Sequence, residues 1–92
     1  MYALKIHKKA LKFFQSRNVT EKKLIKLKLN LLSENPFSHP KLDIKKLKGI
    51  DDTFRLRIGK IRIIYQVADE KLVILIMSAG ARGDIYKKKH DQ

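Results

Sequence analysis

The sequence predicts an α+β fold of two layers, with a curled antiparallel sheet packed on a helical hairpin in the order β-α-α-β-β-β. Three observations carry this. Residues 21–34 repeat apolar side chains at helical spacing. Residues 53–67 alternate apolar and polar side chains about a central Gly59-Lys60. Residues 72–77 (LVILIM) are continuously apolar, as in a strand buried at the middle of a sheet. The 92 residues are read as one domain, 1–92. A chain of that size buries only about 60–65% of its unfolded surface, so the core is small.

Each element follows from a local pattern. Residues 2–7 (YALKIH) alternate, with Tyr2, Leu4 and Ile6 on one side, and predict a short strand. The period then changes. Ala10, Leu11 and Phe14 sit three and four apart, which predicts a helix over Lys8–Arg17. Asn18-Val19 breaks it, and Thr20 is placed to cap a second helix over Glu21–Glu34. There Leu24, Leu27 and Leu31 form one line that Ile25, Leu29 and Leu32 broaden, with lysines over most of the remaining surface. Asn35-Pro36 stops the helix. Residues 35–52 hold both prolines and predict a surface connection with a helical turn at 43–47, pinned by Phe37, Leu42, Ile44 and Leu47.

Strands follow at Thr53–Ile58 and Ile61–Val67, joined by a type II′ turn at Gly59-Lys60. A second turn around Asp69-Glu70 leads to Leu72–Met77. Ser78–Gly83 is expected to leave the sheet, and the tail from Asp84 to Gln92 is polar after Ile85 and Tyr86.

Composition narrows the chemistry. With no Cys, the chain has no disulfide, no Cys-ligated zinc or iron–sulfur centre and no thiol nucleophile. His7, His39 and His90 lack metal-ligand spacing, so neither a metal nor another cofactor is expected. No apolar run reaches the roughly 18–20 residues of a membrane span, and no signal-peptide core is present, which predicts a cytoplasmic protein without membrane association.

Against this stand 22 Lys+Arg and 9 Asp+Glu, a net charge of +13. Residues 1–50 carry 13 Lys/Arg against 3 Asp/Glu. Solvated helix faces account for many of these lysines but not for the missing acids. An uncompensated field of this size favours polyanions, or an acidic partner that masks it.

The placement of arginine is more specific. Only 5 of the 22 cations are Arg, yet Arg55, Arg57 and Arg62 fall within eight residues of one hairpin. With Gly59-Lys60 as the loop, Ile58 faces Ile61, Arg57 faces Arg62 and Leu56 faces Ile63. Phe54, Leu56, Ile58, Ile61, Ile63 and Tyr65 then share one face and the three arginines share the other. Apposed like charges cost a hairpin up to about 1 kcal/mol. Ordinary solvent-facing arginines are one reading; a site for phosphate, which guanidinium clamps bidentately, is the other. Arg82 and Tyr86 come just after the last strand, where Tyr86 suits either a core aromatic or a base-stacking and phosphate-contacting role.

These features resemble the RelE/ParE toxin superfamily, and within it the RelE-like mRNA interferases. The resemblance rests on Ala10–Phe14, Lys46-Leu47-Lys48-Gly49, Phe54-Arg55-Leu56-Arg57, the run from Gly59 to Val67, and Ser78–Tyr86. It implies a toxin of a type II toxin–antitoxin system that enters the ribosomal A site of the 30S subunit and cuts mRNA there. It further implies a RelB-like antitoxin as partner, with operator DNA bound only through the antitoxin complex.

By the same resemblance the catalytic positions are Arg55 and Arg57 (lysines in the best-known members), Arg62, Arg82 and Tyr86. Lys48, Lys60, Lys87 and Lys88 are taken as RNA phosphate contacts. The chemistry is metal-independent attack of an RNA 2′-OH on the adjacent phosphate, giving a 2′,3′-cyclic phosphate and a 5′-OH. Arginine, with a pKa above about 12, is a poor proton carrier, so the general base and acid stay open. Two alternatives also stay open: a ParE-like toxin that poisons gyrase, and a non-catalytic basic module that binds operator DNA with its antitoxin.

Overall fold

The structure, a computed structural model, describes residues 1–81. Its elements are β1 (Ala3–Ile6), α1 (Lys8–Gln15), α2 (Val19–Glu34), β2 (Asp43–Lys46), β3 (Thr53–Ile58), β4 (Ile61–Ala68), a 3-10 turn (Asp69–Lys71) and β5 (Val73–Ala81). The five strands form one sheet in the order β1-β5-β4-β3-β2. The two-layer α+β class stands, and the sheet is mixed rather than wholly antiparallel. β1 pairs parallel to β5, from Ala3↔Val73 to Ile6↔Ile76, because the two helices carry the chain across the sheet between them.

Both helices begin on side-chain caps. The His7 ring accepts from the Lys9 amide at 3.1 Å and opens α1. Asn18 Oδ1 accepts from the Glu21 amide at 2.8 Å and opens α2, so the cap lies two residues before the Thr20 expected from sequence. α1 stops at Gln15, short of Arg17, where the Arg17 guanidinium lies 4.4 Å from the centre of the Phe13 ring.

One face of the sheet and one line of each helix make the core. Ala10 and Phe14 of α1 and Ile25, Leu29 and Leu32 of α2 are buried against Phe54, Leu56, Ile58, Ile61, Ile63, Tyr65, Val67, Ile74 and Ile76. Of the two apolar lines on α2, the sheet takes Ile25-Leu29-Leu32, while Leu24 and Leu27 remain 41% and 55% exposed. Both lines have helical spacing, and only the placement of α2 against the sheet decides between them.

The largest departure lies in residues 35–52. Residues 43–46 form the edge strand β2 rather than a helical turn, antiparallel to β3 with Asp43↔Arg57 and Lys45↔Arg55 in register. Gly49 at φ +78° and Asp52 at φ +57° turn the intervening loop. The earlier part of the connection is pinned from below: the fully buried Tyr65 donates its hydroxyl to the Pro36 carbonyl at 2.6 Å, and Phe54 stacks on Tyr65 with ring centres 5.5 Å apart. β5 is also longer than expected. It runs to Ala81, a register irregularity between Ile64 and Tyr65 taking up Met77, so the small residues Ser78–Ala81 stay in the sheet opposite Ile61–Ile64.

Candidate phosphate-binding site

The site is built on the β3–β4 hairpin. Gly59 sits at φ +58° while Lys60 keeps a negative φ, the sign pattern of a type II′ turn. That turn fixes the register: Ile58↔Ile61, Arg57↔Arg62, Leu56↔Ile63 and Arg55↔Ile64. Since the alternate residues Phe54, Leu56, Ile58, Ile61, Ile63 and Tyr65 are drawn into the core, pleating turns Arg55, Arg57 and Arg62 onto the outer face together. On the far side of Arg62, β5 contributes Gly80, which brings no side chain beside the guanidinium.

The three arginines differ in surroundings. Asp43, on β2, accepts from Arg55 Nη2 at 2.8 Å with Oδ1 and from Arg57 Nε at 3.2 Å with Oδ2. Arg55 is the inner one, its side chain 14% exposed and its buried Nε without a hydrogen-bond partner among the described residues. Arg57 is half exposed. Arg62 is exposed and, among the described residues, forms no ion pair. The face therefore grades from a braced, largely buried guanidinium at the β2 side to an open one at the centre of the sheet.

Of the other positions expected from sequence, Lys60 lies in the hairpin turn next to Arg57 and Arg62. Lys48 lies in the β2–β3 loop, at the opposite end of β3 and about 20 Å of strand away. The structure does not bring these two lysines together. Arg82, Tyr86, Lys87 and Lys88 lie outside the described residues. Asp43 and Lys45 do not emerge from the sequence, where residues 43–47 predict a helical turn. The one available signal was the alternation Asp43-Ile44-Lys45, too short and too polar to stand out.

The arrangement suits an anion. Two outward guanidinium groups, with Lys60 at the turn, offer paired N–H donors at a spacing set by one hairpin register. Among the described residues no three His, Cys, Asp or Glu come together as a metal site would require, and no helix is long and apolar enough to cross a membrane. Tyr65 does not belong to this face: burial raises its pKa well above the usual tyrosine value, and its hydroxyl is committed to Pro36.

Known proteins share this arrangement of elements. The family model of the ParE toxin of type II toxin–antitoxin systems, parDE, matches residues 2–86. A Methanocaldococcus jannaschii protein named as toxin RelE1 is 36% identical over 86 residues, 94% of this chain and 96% of its own length. The mRNA interferase toxin RelE of Escherichia coli K12 is 34% identical over 83 residues, 88% of this chain and 83% of its own. Among solved structures, that of the archaeal RelE–RelB complex from Pyrococcus horikoshii matches with a TM-score of 0.78 at 33% identity, over 89% of this chain and 96% of the other. The isolated E. coli RelE toxin matches with a TM-score of 0.76 at 28% identity, over 99% and 97%.

Proposed function

Because the chain belongs to the RelE/ParE toxin superfamily as a RelE-like toxin, we propose that it is a ribosome-dependent endoribonuclease that cuts mRNA exposed in the A site. The observation that carries this reading is the open Arg62 beside Arg57 on the outer face of the β3–β4 hairpin. The helices back this sheet on its opposite, core face. The relatives named above are RelE toxins, which supports RNA cleavage over gyrase poisoning.

RNA supplies its own nucleophile, so the protein's part is geometry and charge. The 2′-OH attacks the adjacent phosphorus in line, the P–O5′ bond breaks, and the products end in a 2′,3′-cyclic phosphate and a 5′-OH. Negative charge on the non-bridging oxygens grows as the phosphorus becomes pentacoordinate. Arg62 and Arg57 donate to those oxygens and stabilise the transition state more than the ground state. The like-charge repulsion between them turns into shared attraction once the phosphodiester lies between. Arg82 adds to this charge stabilisation, and Tyr86 stacks on a base or carries a proton. The ribosome holds the codon in the in-line conformation that free mRNA rarely adopts.

The partner is a RelB-like antitoxin whose acidic side chains cover the basic surface, and operator DNA is reached only through that complex. Solved relatives include RelE bound to RelB. The decisive experiment incubates the purified protein with mRNA, with and without programmed ribosomes, and maps the ends formed. Cleavage within the A-site codon, dependent on ribosomes and leaving cyclic phosphate, is the expected result. Intact mRNA on ribosomes, or trapped gyrase–DNA complexes instead, would overturn the reading.

A further inference from the structure

Asp43 is out of place on a surface selected for anions. It is the only acid between Glu34 and Asp51, in a half of the chain where cations outnumber acids heavily. Yet the β2–β3 register sets it directly opposite Arg57 on the arginine face. If that face served only to attract phosphate, a carboxylate there would weaken it.

The contacts show a different use. A guanidinium has two edges able to grip an oxyanion in bidentate fashion, one formed by Nε and an Nη, the other by the two Nη nitrogens. Asp43 Oδ2 takes Arg57 at Nε, 3.2 Å, and no other side-chain hydrogen bond engages the terminal Nη edge among the described residues. Its other oxygen is held at 2.8 Å by Arg55 Nη2, from a side chain that is only 14% exposed and so has little freedom. Arg55 and Asp43 together form a neutral brace. The brace fixes the Nε side of the half-exposed Arg57 guanidinium, across the hairpin from Arg62.

We propose that Asp43 is a positioning residue for the cleavage, holding Arg57 so that its terminal edge meets the scissile phosphate, with Arg55 as the buried anchor of that brace. This rests on the ribosome-dependent cleavage proposed above and assigns Arg55 and Arg57 different tasks: Arg55 supports, and Arg57 touches the phosphate. Asp43 acts through Arg57 alone and carries no proton in the reaction.

The test compares wild type, Asp43→Asn, Asp43→Glu, Arg57→Ala and the Asp43→Asn/Arg57→Ala double variant on programmed ribosomes. Single-turnover cleavage and ribosome binding are measured separately. Asp43→Asn should lower the maximal cleavage rate about 10- to 100-fold, the range for a misplaced catalytic group, while ribosome binding is unchanged or tighter because one negative charge is lost. Asp43→Glu should recover most of the rate. The double variant should be no slower than Arg57→Ala, as required if one residue works through the other.

Asp43→Asn cleaving at or above the wild-type rate would overturn the proposal and make Asp43 a brake on phosphate binding. Additive losses in the double variant would overturn it equally. The Arg57 Nε–Hε resonance gives a readout independent of cleavage: slow solvent exchange in wild type, lost in Asp43→Asn, supports the brace, and identical exchange in both contradicts it. Should wild type leave mRNA intact on ribosomes, the cleavage reading fails, and this resonance still decides whether Asp43 holds Arg57.

Discussion

Arg57 and Arg62 stand directly opposite one another in the β3–β4 register, two cations in the position where cross-strand partners approach most closely. Nothing in the fold demands this. The core face of the same hairpin is satisfied by Leu56, Ile58, Ile61 and Ile63, and any polar residue would serve on the outer face. An apposed pair of arginines costs stability unless an anion lies between them, and Asp43 offsets only the Arg57 half of the pair. The repulsion left at Arg62 is the feature that a phosphodiester would relieve.

The Tyr65–Pro36 contact gives a prediction about stability. Tyr65→Phe removes a buried donor and leaves the Pro36 carbonyl unsatisfied, so the variant should unfold at lower denaturant, with a loss of about 1–3 kcal/mol. The pH dependence has a definite sign. Burial raises the Tyr65 pKa in the folded protein, so below the unfolded tyrosine value near 10 its contribution is fully present. That contribution declines as pH rises above about 10, where the unfolded chain releases the proton and the folded protein keeps it. Urea unfolding at pH 7 and pH 11 should show a smaller alkaline loss in Tyr65→Phe than in wild type.

The turn makes a second prediction. Gly59 has φ +58° with open space around it, so Gly59→Ala meets no clash and loses only through the positive-φ backbone of the first turn position, about 1–3 kcal/mol. Gly59→Asn should lose less, since Asn is accepted at the positive-φ position of primed hairpin turns better than Ala is. Thermal melts of the two variants check the order; equal stability of Gly59→Ala and wild type would mean that the turn adopts another conformation.

The charge makes a third. A complex between a domain of net charge +13 and an acidic antitoxin should weaken as salt rises, because charge-assisted contacts are screened beyond about 8–10 Å near physiological ionic strength. Titration calorimetry with a RelB-like antitoxin, run from about 50 to about 500 mM salt, should show a falling affinity with a residual apolar component. Affinity independent of salt would place the antitoxin away from the basic surface.

Much of this was legible in the sequence, and the reason is local. Gly59-Lys60 anchors a two-residue turn, and once the turn is placed the period of two assigns every side chain from Phe54 to Tyr65 to its face, Arg57 opposite Arg62 included. The same logic failed where no turn anchors the register. β2 is four residues with one apolar side chain, an edge strand stabilised by β3 rather than by its own pattern, and so Asp43 could not be seen beside arginines 12 and 14 residues away. β1 carries a good strand pattern, but alternation is identical for parallel and antiparallel pairing. On α2, two apolar lines compete and the sequence does not say which one the sheet covers. The end of β5 is not visible in the sequence because Ser78-Ala79-Gly80-Ala81 has weak strand propensity; cross-strand pairing with Ile61–Ile64 outweighs it.

Stabilisation of phosphate charge by Arg62 during the proposed cleavage is tested most directly by single-turnover cleavage of A-site mRNA with Arg62→Ala. The cleavage rate should fall about 10²- to 10³-fold, the usual scale for losing one such donor. Ribosome binding should change little against a background of 22 cations, and the melting temperature should hold or rise, since one member of an apposed like-charge pair is gone. Cleavage by Arg62→Ala at the wild-type rate, with equal ribosome binding, would contradict the account and reduce the arginine face to a surface for steering or for the antitoxin.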